Sequence, residues 1–278
     1  MIDAYPREDR EAITEAGGNC GGLLYERALL RIEPRAEVHV VCSADLDREL
    51  PGGRELERYH GATWSGSSLS VCRRDDPRIR AQIELCRNLF AAGLPSFGSC
   101  FAAQLATVAL GGECAPSPRG REFGFARRVS LSSEGRDHPL YRGKPRVFDA
   151  PASHEDEIVR LPEGAELLAS NGFSEVQALA IQRGEAAFWA VQYHPEFDLH
   201  EIATLCRLRA DNLVRSKNFP DKQTAIAFAD DLDALQRDPS RTDLASSLGL
   251  ASDILDEEVR TRELRNWVDS QVRARARR

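Results

Sequence analysis

Between Leu94 and Ala109 a short run, Leu94 to Phe97, passes into an apolar segment of helical period across only three residues, Gly98-Ser99-Cys100. A chain that turns from strand to helix so abruptly strains the residue at the bend and exposes its side chain. The residues two before and two after it must be small, because strand and helix approach closely there. Gly98 and Ala102 meet that requirement.

The flanking segments predict where such a turn sits. Residues 36–42 and 61–65 read as strands, the second ending in Gly66-Ser67-Ser68. Asp75-Asp76-Pro77 reads as an N-cap with proline at the first helical position, after which Ile79, Ile83, Cys86 and Phe90 recur at helical spacing until Gly93 and Pro95 end the helix. Strand, helix, strand, sharp turn and helix is the order of a parallel α/β sheet. After Gly120 the sequence turns β-rich, with strands expected at 126–132, 146–151, 166–171, 176–182 and 186–193, the last two forming a hairpin about Arg183-Gly184-Glu185. From Glu201 onward helical patterns dominate.

The expected architecture is α/β: a mostly parallel central sheet flanked by helices, a small β-rich extension, and a helical appendage. The domain is placed at 1–210 and the appendage at 211–278. The appendage groups apolar residues at helical spacing, as in Ile226, Ala229, Leu232 with Leu235, and Leu264, Trp267, Val268 with Val272. The basic tip Arg273 to Arg278 is expected to be a frayed, solvated helix end. Met1 to Pro6 reads as the end of a strand running into a loop, so either the first strand is unusually short or the start is placed too late.

With 37 basic and 44 acidic residues the net charge is −7, which supplies no field for gathering polyanions, so nucleic acid is not expected as a partner. No apolar stretch approaches the roughly 18 residues of a membrane span and no secretory signal is evident, so a cytoplasmic protein with no membrane partner is expected. Seven cysteines without a CxxC pair point to reduced, mostly buried thiols.

Chemistry is concentrated in two places. Cys100 stands at the turn, where the helix N-terminus favours a thiolate; the same five residues also describe a buried cysteine at a helix start. Far along the chain, Gln192-Tyr193-His194-Pro195-Glu196 follows an apolar strand, and the carboxylate of Glu196 is spaced to orient the His194 imidazole as a base. A rival grouping takes His194, Glu196, Asp198 and His200 as metal ligands, but it leaves Cys100 without a role, and no metal or other cofactor is expected.

Gly98-Ser99-Cys100-Phe101-Ala102-Ala103-Gln104 with Gln192-Tyr193-His194-Pro195-Glu196 resembles the paired signatures of class I (triad-type) glutamine amidotransferases. Trp64 to Ser68 resembles that family's oxyanion loop, Gly120 to Gly124 its mid-domain signature, and Ser153-His154-Glu155-Asp156 its serine, histidine, acid segment. The likeness covers roughly residues 60–200 and points toward stand-alone proteins similar to the amidotransferase domain of GMP synthase, a flavodoxin-like fold. It implies that Cys100 attacks the γ-carboxamide of glutamine, His194 moves the proton and Glu196 holds His194. It also implies oxyanion donors at Phe101 and near Gly66, and a substrate-placing role for Gln104. The family usually has glycine where this chain has Ala102. The residues after 210 are too few for a synthetase module and contain no GxxxxGK[ST] pattern, so ammonia is expected to pass to a separate synthase partner. A γ-glutamyl hydrolase or peptidase using the same triad, and a non-catalytic regulatory protein keeping the fold, are the alternatives.

Overall fold

The computed structural model describes residues 1–277. Eleven strands are present among them: β1 (Ile2–Asp3), β2 (Val41–Cys42), β3 (Ala62–Trp64), β4 (Ser96–Ser99), β5 (Glu113–Pro116), β6 (Glu122–Leu131), β7 (Val147–His154), β8 (Asp156–Arg160), β9 (Ala165–Ser170), β10 (Ala178–Arg183) and β11 (Ala186–Val191). Nine of them form one sheet in the order β2-β1-β3-β4-β11-β10-β9-β6-β7, while β5 and β8 form a separate ribbon. From β2 to β11 neighbours are parallel, and from β11 to β7 they are antiparallel. The β-rich extension is thus a continuation of the central sheet.

Helices α1 (Arg7–Glu15), α2 (Gly21–Ile32), α3 (Pro77–Ala91), α4 (Phe101–Ala109) and α5 (Ser133–Asp137) are followed by a helical C-terminal part: α6 (Leu199–Leu208), α7 (Ala210–Arg215), α8 (Lys222–Arg237), α9 (Thr242–Leu248), α10 (Ser252–Leu255), α11 (Glu257–Arg260), α12 (Arg262–Trp267) and α13 (Arg273–Ala276). The start of α3 follows the cap chemistry read in the sequence, with the Asp76 carboxylate accepting from the Arg78 amide at 2.8 Å and Pro77 opening the helix.

The period-2 rule of strands divides the core. On β11, Phe188 and Ala190 face the layer of α3 and α4, packing with Ile79, Leu85, Leu89 and Leu105. Trp189 and Val191 face the opposite layer, where α2 supplies Tyr25, Ala28 and Ile32, and α12 supplies Leu264 and Trp267. A third cluster joins α1, α6 and α8 through Ile13, Ile202, Leu205, Ala229, Leu232 and Leu235.

Three expectations change. Only Val41–Cys42 of the 36–42 segment pairs as strand. It lies at the sheet edge beside β1, which is itself two residues long, so residues 36–40 have no extended partner. The ribbon strands β5 and β8 escape sequence reading because Pro116 and the charged Asp156, Glu157 and Arg160 dilute any apolar alternation. The basic tip is held, not frayed: Arg273 pairs with Glu33 at 3.0 Å, and Arg275 donates to the Gly93 carbonyl at 2.7 Å. Arg278 lies outside the described residues.

The elbow between β4 and α4 is tight on its inner side. A Cβ on Gly98 would fall 2.4 Å from the Ala102 Cβ and 3.1 Å from the Trp64 carbonyl oxygen. Gly98→Ala should therefore cost roughly 1–3 kcal/mol as overpacking and reduce turnover. Ala102→Gly alone should cost about 0.5–1 kcal/mol as a helical glycine. The double variant should recover part of the Gly98→Ala loss, because it removes the 2.4 Å contact but not the contact with Trp64. Denaturant melts check the ordering, and a double variant no better than Gly98→Ala would contradict it.

Helices α8 to α13 cover apolar faces of α6 and of the sheet, with the Trp267 ring centroid 6.2 Å from that of Phe97 on β4. Truncation after Asp211 should give aggregation or a lowered melting temperature through the uncovered surface. Unaltered melting and hydrodynamic mass would refute this packing.

Candidate functional site

The parallel strands β3, β4 and β11 end at the same edge of the sheet, and the loops leaving them carry Gly66, Cys100 and His194. Crevices at the carboxyl ends of parallel strands are where open α/β sheets assemble sites. The Cys100 amide donates to the Val191 carbonyl at 2.8 Å, which locks the two loops together. Cys100 itself has φ 53° and ψ −108° as the residue preceding α4. A non-glycine residue in that region is strained, and here the strain aims the thiol away from the helix, as the small-residue pattern requires.

The thiol donates to the Ser153 carbonyl oxygen at 3.7 Å, and the His194 imidazole stands beside Cys100, both of them within 4 Å of the position a Cβ on Gly66 would take. The imidazole Nδ1 is 2.7 Å from Glu196 Oε1, and that oxygen also accepts from Ser99 Oγ at 2.8 Å. The Phe197 ring stacks on the imidazole with centroids 4.0 Å apart, fixing its plane. All three central residues are buried, with Cys100 5% and His194 2% exposed. Burial alone would lower the imidazole pKa, but the Glu196 carboxylate and the adjacent Cys100 outweigh it and raise the value from 6.5 to about 9. The site therefore favours an imidazolium beside the Cys100 sulfur. Because the folded value lies above 6.5, the stability contributed by this charge is complete below about pH 6.5 and is lost as pH rises toward 9.

Gly66 closes the opposite side. A Cβ there would lie 2.6 Å from His194 Cε1 and 3.5 Å from Cys100 Cβ, so only glycine lets this loop approach the pair. The Phe101 amide belongs to the first turn of α4, where amides have no intrahelical acceptor, and it is free to serve an oxyanion.

The sequence-predicted residues converge unevenly. Cys100, His194, Glu196, Gly66 and Phe101 meet within this crevice. Gln104 is buried, and its amide nitrogen is committed to the Asp156 carbonyl at 2.9 Å and to Gln192 Oε1 at 3.2 Å, bracing the loop that bears His194. The four residues of the rival metal grouping separate into other tasks. Asp198 caps α6 by accepting from the Glu201 amide at 3.0 Å, while His200 Nδ1 turns to Asp233 at 2.9 Å. His154 is likewise structural, held by Glu122 at 2.8 Å, and Glu122 also accepts from Asn171 and Gln177.

Sequence reasoning missed three neighbours. Ser99 had a usable signal in its position beside Cys100. Tyr25, whose phenol is pushed well above 10 by burial and by nearby Glu196, comes from a helix with no motif. Arg209, just after α6, donates to Ser153 Oγ at 2.9 Å, so the same serine joins a guanidinium to the thiol. Arg121 stands close by, bound to Glu155 at 2.6 Å; burial and the like charge of Arg209 lower its pKa.

Comparison with known proteins places this geometry. The family model for class I glutamine amidotransferases matches residues 70–206. A γ-glutamyl-L-1-hydroxyisopropylamide hydrolase from a Pseudomonas species is 34% identical over 225 residues, covering 79% of this chain and 74% of that protein. A GMP synthase from Thermomicrobium roseum is 36% identical over 194 residues, covering 69% of this chain and 32% of that protein, so the chain spans about a third of such relatives. Among solved structures, a glutamine amidotransferase from Thermotoga maritima shares the fold with a TM-score of 0.62 at 17% identity, covering 89% of this chain and 91% of that one. The amidohydrolase relatives, the matched family model and the shared sheet together show that the chain belongs to the class I glutamine amidotransferase family.

Proposed function

We propose that this protein is a cysteine amidohydrolase that cleaves γ-glutamyl amides through a thioester on Cys100. The observation that carries the reading is the placement of the strained Cys100 beside an imidazole whose Nδ1 is held 2.7 Å from Glu196. The thiolate attacks the amide carbonyl carbon, forming the C–S bond and placing the electron pair on oxygen, where the Phe101 amide and the Gly66 loop receive it. Collapse breaks the C–N bond, and the His194 imidazolium gives its proton to the departing amine. Water then attacks the thioester, His194 takes the proton from it, and glutamate leaves with Cys100 restored.

Water as the acceptor and an alkylamine as the leaving group are favoured by the extent of the likeness. The match to the alkylamide hydrolase runs through 74% of that relative, whereas the GMP synthase match covers 32% of its counterpart. Hydrolysis of glutamine with ammonia passed to a separate synthase is the second reading, supported by that GMP synthase likeness. Arg209 supplies a cation beside the nucleophile for the free carboxylate that every γ-glutamyl compound carries.

Glutamate release from γ-glutamyl-L-1-hydroxyisopropylamide, a γ-glutamyl dipeptide and glutamine tests the reading. The alkylamide should show the highest kcat/KM, and Cys100→Ser should abolish release. A preference for glutamine would support the second reading, and release from none of them would defeat both. An electrophilic glutamine analogue should label Cys100 alone among the seven cysteines in a peptide map. The Arg209→Met variant should raise KM roughly ten- to a hundredfold with kcat little changed, the equivalent of one charge-assisted hydrogen bond. An unchanged KM would remove Arg209 from substrate binding.

A further inference from the structure

The loop bearing His194 is not part of a strand, since β11 ends at Val191, so its orientation depends on a few anchors. The His194 amide donates to the Pro151 carbonyl at 2.7 Å, and Gln192 is tied to Gln104. The third anchor comes from the far end of the sequence. Tyr193 is fully buried, and its hydroxyl donates to Glu263 Oε1 on α12 at 2.6 Å. Because that single proton is used, the Tyr141 hydroxyl at 2.9 Å must be the donor toward Tyr193.

Glu263 is itself 0% exposed, and its second oxygen accepts from Lys144 Nζ at 2.9 Å. Lys144 spends its remaining donors on the Val259 and Arg260 carbonyls, at 2.9 and 3.4 Å, and stands 4.6 Å from the centroid of the Phe148 ring. A carboxylate this deeply buried requires full partnering, and a pair of apolar residues would stabilise the same interface at least as well. Burial opposes the Lys144 charge against the pull of Glu263. The ionic arrangement therefore calls for a reason beyond holding α12 in place. What the carboxylate does that an apolar side chain would not is fix a hydroxyl on the residue preceding the base.

We infer that Glu263 is a positioning residue for His194: it grips Tyr193 from the C-terminal helices and so holds the imidazole between Glu196 and the Cys100 thiol. The inference rests on the reading of Cys100 and His194 as a reacting pair. Residues of α11 and α12 then belong to the catalytic unit, although they lie beyond the family match at 70–206.

The test uses the full chain and iodoacetamide, whose rate with Cys100 follows thiolate content and needs no knowledge of the substrate. In the parent, the alkylation rate should change in two steps, the upper one near 9, where the imidazolium is lost. Tyr193→Phe, which removes one oxygen and keeps the ring, and Glu263→Gln should both move that inflection down by about one unit as the Glu196 contact loosens. Both should also lower kcat about tenfold, with KM within twofold. Asn266→Ala is the control: its amide holds the Leu140 and Arg142 carbonyls at 2.8 and 2.9 Å, so it loosens the docking of α12 while leaving the Tyr193 and Glu263 side chains and their mutual hydrogen bond unaltered. It should lower the melting temperature and leave the inflection in place. Folded Tyr193→Phe protein with the parent's profile would overturn the inference, as would an equal shift in Asn266→Ala. A parent profile with one inflection near that of a free thiol would instead remove the reacting pair, and this inference with it.

Discussion

The 2.8 Å hydrogen bond from the Cys100 amide to the Val191 carbonyl is the joint on which the molecule turns. It extends the parallel pairing of β4 with β11 by one residue beyond the strands, at the point where one chain bends into a helix and the other into the His194 loop. Everything chemical is arranged about it. Ser99, before Cys100, reaches Glu196, after His194, so the sheet register and the grouping of Cys100, His194 and Glu196 are one geometry. The small residues Gly98 and Ala102 exist to let the bend pass, and Gly66 lets a third strand end close against it.

Much of this was legible because it is local. A strand-to-helix turn, a cap written Asp76-Pro77, and a hairpin about Gly184 each depend on residues within a few positions of one another, so pattern reading reaches them. Cys100, His194 and Glu196 were recognisable because a strained strand-to-helix turn and a His-x-Glu spacing restrict which side chains can stand there. What escaped was decided by contacts across the fold. Tyr25 reaches the site from a helix and Arg209 from the turn after α6, segments whose local sequence serves packing, and Gln104 turned its amide to the protein interior, where two carbonyl-type oxygens needed a donor. The strand expected at 36–42 shrank to two residues for want of a partner of matching length, which no window on that segment could reveal.

Two clusters of buried polar residues differ in kind. Glu122, His154, Asn171 and Gln177 bond to one another and tie the ends of β6 and β7 to the loop between β9 and β10. The Lys144, Glu263, Tyr193 and Tyr141 cluster instead links distant parts of the chain. In a core otherwise filled by Phe97, Trp189 and Trp267, polar groups tolerate only one arrangement, whereas apolar side chains would accept several. The helical segment is thereby fixed in one orientation on the sheet.

The separation of the site's halves along the chain has a kinetic consequence. Ser99 and Glu196 stand 97 residues apart in sequence, and β11 enters the sheet between β4 and β10. Closing so long a loop is entropically costly and slow relative to forming α3 and α4. While the chain emerges from the ribosome, Cys100 therefore stands for an interval on a half-built sheet, before His194 is brought beside it. The proposed reacting pair is brought together only when the long-range pairing of β4 with β11 forms.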